Sequence, residues 1–468
     1  MRVGPLGRLL VVGFVLGGCL VGPDYRRPEV DAPVQFRADL RPTPDPASVA
    51  DLAWFELFQD DSLQALVREA LAQNYDVRIA AARVLQARAQ LGVVRADLFP
   101  TVNAIGTVEA TKNAQDAFSF PTPSTKRGVG TLELSLSWEL DVWGRLRRLK
   151  ESARAQYLAS EEARRAVLVT LVADVATAYF QLRDLDLELE TSRRTVTSRQ
   201  HGLDLTTRRK EGGVATALDV AQAQNLLYTA TTTIARLERQ IEQQENLLSL
   251  LVARNPEAIP RGQALDAQAF PLEVPPGLPS ALLARRPDIR QAEQSLVSAN
   301  AEIGAAKARY FPQIDLTGPL GVQSGSLGTL FTPGNVFYNL VAGATLPLFN
   351  AGRIRSLVEL SEARKAEAVT AYERAVRTAF REVSDALVGH RKTREERGQQ
   401  ELLVAALREA VRLSQLRYQG GLDSYLQVLD AESRLFDAEL RLTQLRRDEL
   451  LALVQLYRAL GGGWASAG

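Results

Sequence analysis

The sequence has one cysteine, two histidines and one methionine in 468 residues. A lone Cys excludes a disulfide framework, and so few His and Cys exclude the usual zinc and iron–sulfur ligand sets, so no metal site is expected. No nucleophile–base pair stands out and no Gly-rich phosphate loop follows a strand, which argues against an enzyme. His201 and His390 lie in long helical stretches and read as surface residues. Lys and Arg number 56 against 55 Asp and Glu, so the basic excess of a general nucleic-acid binder is missing. The 46% apolar content is too high for a disordered chain.

Proline is absent from two long stretches. The 132 residues between Pro123 and Pro256 and the 121 after Pro347 contain none. Proline in a helix interior costs about 3 kcal/mol, so these Ala-, Leu-, Arg- and Glu-rich stretches read as long helices. Seven prolines cluster in residues 1–46 and seven in 256–287. They mark a Pro-rich arm at 19–61 and a linker at 256–280.

Residues 1–18 carry Arg2 and Arg8 and then an apolar run over 9–16. The run is too short to cross a bilayer and fits a secretory signal. It ends Leu16-Gly17-Gly18-Cys19, which resembles a bacterial lipobox whose Cys becomes the acylated first residue. Covalent lipid on Cys19 is the only attached group expected; no cofactor is. Leu20 follows, not Asp, which in enteric bacteria implies delivery to the outer membrane. No later stretch approaches the ~20 apolar residues of a membrane helix.

The chain also repeats itself. Asn74-Tyr75-Asp76-Val77-Arg78 aligns with Arg286-Pro287-Asp288-Ile289-Arg290 at an offset of 212, and Phe99-Pro100 falls on Phe311-Pro312. Further on the offset is 208: Gly144-Arg145 matches Gly352-Arg353, and Gly212-Gly213 matches Gly420-Gly421. This is too long for a solenoid unit and reads as a duplicated half. The halves run 62–255 and 281–461. Each contains a helix, a β-hairpin (101–140 or 313–346) and a helical hairpin (144–252 or 352–460).

The strand segments alternate. Leu132, Leu134, Leu136, Trp138 and Leu140 share one face; Thr131, Glu133, Ser135, Ser137 and Glu139 share the other. Val102, Ala104, Gly106, Val108 and Ala110 repeat the pattern, with Ile105 an exception on the polar face. In the second half Ile314 and Leu316, then Tyr338, Leu340, Ala342, Ala344 and Leu346, do so more weakly. Each segment is about 10 residues long, as a transmembrane β-strand requires. Four strands cannot close a barrel, and lipid does not tolerate an open edge, so membrane-spanning strands require an oligomer. Two copies give eight strands and a filled interior, whereas three give twelve and room for a lumen. The arithmetic favours a trimer or larger.

One helix is expected over 144–211, about 100 Å long at 1.5 Å per residue, followed by another over 214–252. Leu227, Ala230, Ile234, Leu237, Ile241, Gln244, Leu248 and Leu251 alternate in threes and fours, the seam of a coiled coil. Leu435, Ala438, Leu442 and Leu445 repeat it. Each Gly-Gly pair supplies the turn of a helical hairpin.

Taken together, these features resemble the TolC-like outer-membrane efflux proteins, especially the lipidated subgroup that works with resistance-nodulation-division pumps. The resemblance rests on Cys19-Leu20-Val21-Gly22-Pro23-Asp24-Tyr25, Trp54-Phe55, the Asn74 helix, Trp143-Gly144-Arg145, Leu346-Pro347-Leu348-Phe349, Arg417-Tyr418 with Gly421, and Tyr425-Leu426 with Leu429-Asp430-Ala431. It covers essentially the whole mature chain. It implies an α+β membrane channel: a homotrimer whose twelve strands form one outer-membrane barrel, continued by a periplasmic α-helical coiled-coil barrel. It implies a passive exit duct for drugs or other small toxic compounds. A periplasmic adaptor contacts the hairpin turns at Gly212, Gly213, Gly420 and Gly421 and links the duct to an inner-membrane pump.

Carried over residue by residue, the resemblance places the periplasmic aperture at Leu426 and Asp430, one helical turn apart. Three copies of Asp430 would make an acidic ring that attracts cations. It also implies a gate link between Tyr418 and Asp219, a charge-assisted phenol–carboxylate hydrogen bond. Ser433 stands where related channels carry an Arg, and Arg434 follows, about 100° further round the helix, which leaves open whether an Arg–Asp lock forms. The rival readings are the outer component of a type I protein secretion system and a lipid-anchored coiled-coil scaffold.

Overall fold

The computed structural model describes residues 20–37, 48–112, 126–268 and 275–462. Its helices are α1 (Trp54–Leu57), α2 (Asp61–Gln73), α3 (Tyr75–Ala96), α4 (Arg145–Glu211), α5 (Ala217–Leu251), α6 (Pro279–Arg285), α7 (Pro287–Ala308), α8 (Arg353–Gln419) and α9 (Tyr425–Ala459). Its strands are β1 (Thr101–Lys112), β2 (Lys126–Leu140), β3 (Gln313–Ser324), β4 (Val336–Tyr338) and β5 (Val341–Thr345). The element lengths recur: α3 and α7 have 22 residues, α4 and α8 have 67, and α5 and α9 have 35. The proline-free stretches are thus helical from Arg145 to Leu251 and from Arg353 to Ala459, apart from the turns between the helices, while the first stretch also holds β2.

The chain divides into two compact units that cut across the two halves of the sequence. One unit comprises Val30–Ala82, Glu162–Arg290 and Arg374–Gly468. Its core joins α1 and α2 to the middle of α4 and the ends of α5 and α9. Trp54, Phe58, Leu63, Tyr179, Phe180, Leu248 and Tyr457 are buried there. The sequence reading treated 19–61 as an extended arm, but Phe36, Val49, Trp54, Leu57 and Phe58 belong to this core. One eighteen-residue window of α4 does pass the length and composition test for a membrane helix, contrary to expectation, and 56% of it is buried inside the chain. It is a core helix. His390 also departs from the surface reading: it is half-buried, and burial lowers its pKa.

Asp60 anchors this unit. It is fully buried, and its Oδ1 caps α2 by accepting the Ser62 and Leu63 amides at 2.9 and 3.1 Å. Its Oδ2 accepts the Tyr179 hydroxyl, the Gln263 amide and the Gln268 side-chain amide at 2.8–3.0 Å. One carboxylate therefore ties a helix start, the long helix α4 and the linker together. At the start of α3, Asn74 donates Nδ2–H to the Leu251 carbonyl at 2.9 Å; at the equivalent place before α7, Arg286 donates Nη1–H to the Ala459 carbonyl at 2.8 Å.

The residues of the expected seam face inward in this unit. Leu227, Ala230, Leu237, Ile241 and Leu248 are buried on α5, as are Ala438, Leu442 and Leu445 on α9. Ile234, Gln244, Leu251 and Leu435 are half-buried.

The other unit comprises Met1–Glu29, Arg83–Glu161 and Gln291–Glu373 and holds the sheet. The order is antiparallel β1-β2-β3-β4, with β5 also paired to β3. The expected fourth strand is thus two pieces. Both keep one register against β3, Leu320 opposite Tyr338 and Thr317 opposite Val341. Between them the Asn339 amide donates to the Pro319 carbonyl at 3.0 Å, but Pro319 has no N–H to return. The proline interrupts the ladder without shifting it.

Directly opposed residues share a face. Ala104 faces Leu134, Leu134 faces Leu320, and Leu320 faces Tyr338. Over 102–110, 132–140, 314–322 and 336–344 this face carries only aliphatic and aromatic residues and glycine. Leu132, Leu134, Leu320, Tyr338 and Leu340 are exposed on it. The opposite face carries Thr101, Asn103, Thr107, Glu109, Thr131, Glu133, Asp315 and Gln323, with Ile105, Val129, Pro319, Phe337 and Val341 the apolar exceptions. Trp138 donates Nε1–H to the Leu98 carbonyl at 3.0 Å.

Candidate functional site at the hairpin turns

The two helical hairpins turn with one geometry. After α4, the Gly212 amide donates to the Arg208 carbonyl and the Val214 amide to the Arg209 carbonyl; after α8, Gly420 donates to Leu416 and Leu422 to Arg417. These are Schellman turns, and their left-handed residues are Gly213 (φ +76°) and Gly421 (φ +73°). Space is not the constraint, since an added Cβ at either glycine meets nothing within 4 Å. Across the second turn Arg417 pairs with Asp423 at 2.5 Å, which lowers the Asp423 pKa.

The next helices start differently. Thr216 and Asp219 make a capping box on α5: Asp219 Oδ2 accepts the Thr216 amide at 2.7 Å and hydroxyl at 2.8 Å, while Thr216 Oγ1 accepts the Asp219 amide at 3.2 Å. In the second half Ser424 stands at the N-cap and makes no side-chain cap bond.

On α9 the first turns have two faces. Tyr425, Val428 and Ala431 are buried, and Leu426 and Asp430 point away from the chain's own packing. Asp430 nonetheless has a partner: Arg434 Nε donates to it at 3.1 Å, one turn along the helix, both groups being about half exposed or more. The displacement of the cation from residue 433 to 434 therefore leaves it within reach of Asp430 in the same chain. Leu218 and Leu426 occupy equivalent places and both are exposed.

Tyr418 and Asp219 are not joined within the chain. Tyr418 is buried against Ala223, Tyr425 and Val428. Its ring lies 5.1 Å from that of Tyr425, and the Arg209 guanidinium stacks 4.5 Å from its centroid. Among the described residues its hydroxyl has no hydrogen-bond partner. Asp219, by contrast, is exposed. Sequence reasoning missed Arg209; the signal was there, since Arg209 and Arg417 sit at the same distance before the two Gly-Gly turns.

Below the turn, Arg199 is buried. It donates Nη1–H to the Leu226 carbonyl at 2.6 Å and stacks on Phe436 at 4.9 Å. Burial lowers its pKa against the pull of Glu432 and Asp437. Burial also raises Glu432 and pushes the Tyr425 phenol up to about 12. Arg199 thus touches α5 and α9 from α4 and clamps three helices below the turn. Among the described residues no His, Cys, Asp and Glu cluster could hold a metal ion. Cys19 lies outside the described residues.

A family model described as "Outer membrane efflux protein" matches residues 66–254 and 278–462. The chain is 39% identical over 463 residues to the "Probable efflux pump outer membrane protein TtgC" of Pseudomonas putida, covering 97% of this chain and 95% of that one. It superposes on the crystal structure of a membrane protein from Pseudomonas aeruginosa with a TM-score of 0.88 at 36% identity, covering 95% of this chain and all of that one. The open state of the Neisseria gonorrhoeae MtrE outer membrane channel gives a TM-score of 0.84 at 32% identity, with 95% and 99% covered.

Proposed function

Because this chain belongs to the outer membrane efflux protein family and serves as the outer-membrane channel of an efflux system, not as an enzyme, we propose that three copies assemble into one duct. Twelve strands then form a barrel and the helical hairpins continue it into the periplasm. The observation that carries this reading is the sheet: one face is apolar over 102–110, 132–140, 314–322 and 336–344 and largely exposed, and among the described residues β1 and β4/β5 are edges with no strand paired outside them. Lipid requires that both edges be paired, and a second and third copy supply the partners. Equal element lengths and two matches to one family model support reading the halves as a duplication.

The remaining parts follow from the site. Cys19 carries the lipid anchor. The turns at Gly212–Gly213 and Gly420–Gly421 meet a periplasmic adaptor, which connects the duct to an inner-membrane pump of the resistance-nodulation-division type. The duct itself consumes no fuel. Leu426 and Asp430 line the periplasmic aperture. The unpartnered Tyr418 hydroxyl is the chain's half of a link whose other half, Asp219, comes from a neighbouring copy.

Two measurements test this. The purified protein should run as a heat-modifiable, trypsin-resistant trimer from outer-membrane fractions; a monomer there would exclude the barrel. In planar bilayers, Asp430→Ala combined with Tyr418→Phe should raise conductance and change cation selectivity. Unchanged values would remove both residues from the aperture.

A further inference from the structure

Residues 20–27, immediately after the expected anchor, do not hang free. The Val21 amide donates to the Trp143 carbonyl at 3.2 Å. Trp143 stands between β2 and α4, and its Nε1–H donates to the Pro312 carbonyl at 2.8 Å, just ahead of β3. The first described residues therefore sit at the junction where the sheet gives way to helices.

Arg148 of α4 holds them. It is almost fully buried, and it donates to the Val21 and Gly22 carbonyls at 3.2 and 3.4 Å and to Asp24 at 3.0 Å. Glu151 is its other carboxylate partner, at 2.8 Å. A buried guanidinium stripped of most of its acceptors is costly, so this one favours the seated arm. From α7, Asn300 donates to the Pro23 carbonyl at 2.9 Å, and Glu293 accepts the Tyr25 hydroxyl at 3.1 Å and both forks of Arg27 at 2.7 and 2.5 Å.

The fit is close enough to fix the register. Gly22 adopts φ +101°, and a Cβ there would stand 2.4 Å from the Gly304 Cα. A Cβ on Gly304 would stand 2.6 Å from the Val21 carbonyl oxygen. Sliding the arm by one residue puts Val21 or Pro23 where only glycine fits.

We propose that residues 20–27 are a strap seated in a groove between α4 and α7, and that the groove holds the lipidated residue at the strand–helix junction. The placement rests on the reading of Cys19 as acylated. One residue of chain spans at most about 3.6 Å, so the anchor has almost no slack. It acts as a strut at one membrane depth and not as a leash.

The test is trypsin cleavage of the Arg26–Arg27 bond in outer-membrane fractions of the full-length protein; the next bond, Arg27–Pro28, resists trypsin in any conformation. The strap protects the Arg26–Arg27 bond in the parent chain. Gly22→Val, which alters only the arm, and Gly304→Val, which alters only the groove, should each speed cleavage at least ten-fold while the trimer persists. Parent and Gly22→Val chains cut at the same rate would overturn the proposal, whatever the fate of Gly304→Val. Cys19→Ser should keep the protection; its loss would show that lipid, and not the groove, holds the arm, and would also overturn the strap. Mass spectrometry of the parent's residue 19 decides the acylation reading separately.

Discussion

Asn74 and Arg286 occupy equivalent places in the two halves, and each donates a side-chain N–H to the last-turn carbonyl of a 35-residue helix, Leu251 in one case and Ala459 in the other. Different side chains close the same joint. Arg286 is also paired with Asp288 and Glu382 at 2.6 and 2.8 Å and is buried, so it has more to lose. Arg286→Ala should cost about 3 kcal/mol or more, and Asn74→Ala about 1–2 kcal/mol. Thermal melting followed by circular dichroism ranks the two; the reverse order would refute the comparison.

Asp60→Ala removes the common acceptor of five donors, several of them buried. With each buried donor left unsatisfied costing about 1–3 kcal/mol, the loss should exceed about 3 kcal/mol and lower the heat stability of the assembled protein. Asp60→Asn, which keeps one acceptor oxygen, should lose less.

Asp184 is buried between α4 and α9 with Arg447 at 2.6 Å. Burial pushes its carboxyl up to about 7, Arg447 pulling it down and Glu188 and Asp448 adding to the rise. A raised pKa in the fold means that the protonated form is favoured there. The stability this contributes is complete below the ordinary Asp value of about 3.9 and is lost as pH rises through about 7. From about pH 5 to pH 8 the parent should therefore lose stability relative to Asp184→Asn, by at most about 1.4 kcal/mol per pH unit. Melting curves of the two proteins that keep a constant separation across that range would contradict the assignment.

Gly213 and Gly421 are left-handed with open space around them, so Gly→Ala should cost only the backbone term, about 1–2 kcal/mol at each. Hydrogen exchange at the hairpin turns reads this directly. Faster exchange confined to the turns is expected, with the core amides unchanged.

Arg434 pairs with Asp430 in an exposed i,i+4 contact worth about 0.3–0.5 kcal/mol. Removing it barely affects stability but leaves the carboxylate unopposed. Arg434→Gln should make the channel more cation-selective in a salt gradient across a planar bilayer, while the melting temperature holds. Selectivity equal to the parent's would place Asp430 away from the ion path.

Much of this fold was legible because its signals are long. Two proline-free stretches gave four helices to within a few residues, and strict alternation from Thr131 to Leu140 gave a face that the register confirms. What sequence reasoning missed depends on contacts that composition does not encode. Pro319 reads as strand punctuation, yet its effect appears only through its partner Asn339. Trp54 and Phe58 lie in a segment read as a Pro-rich arm but pack into the core, where the neighbouring Asp60 bonds α2 to Tyr179 and the linker. At the turns, Asp430 and Leu426 share one exposed helix face, as their one-turn spacing requires, and Arg434 still reaches Asp430 because i,i+4 neighbours meet on a helix. Tyr418 and Asp219 cannot be joined by reading one chain, since the structure keeps one buried and the other exposed.

Pro319 has a last consequence. With no N–H opposite, the Asn339 carbonyl receives nothing from its partner strand, and the sheet carries an unfilled acceptor partway along its length. Hydrocarbon leaves such an oxygen thirsty at a cost of several kcal/mol, whereas a water molecule approaching from the polar face satisfies it. The backbone itself, apart from any side chain, thus asks for solvent on the polar side of the sheet.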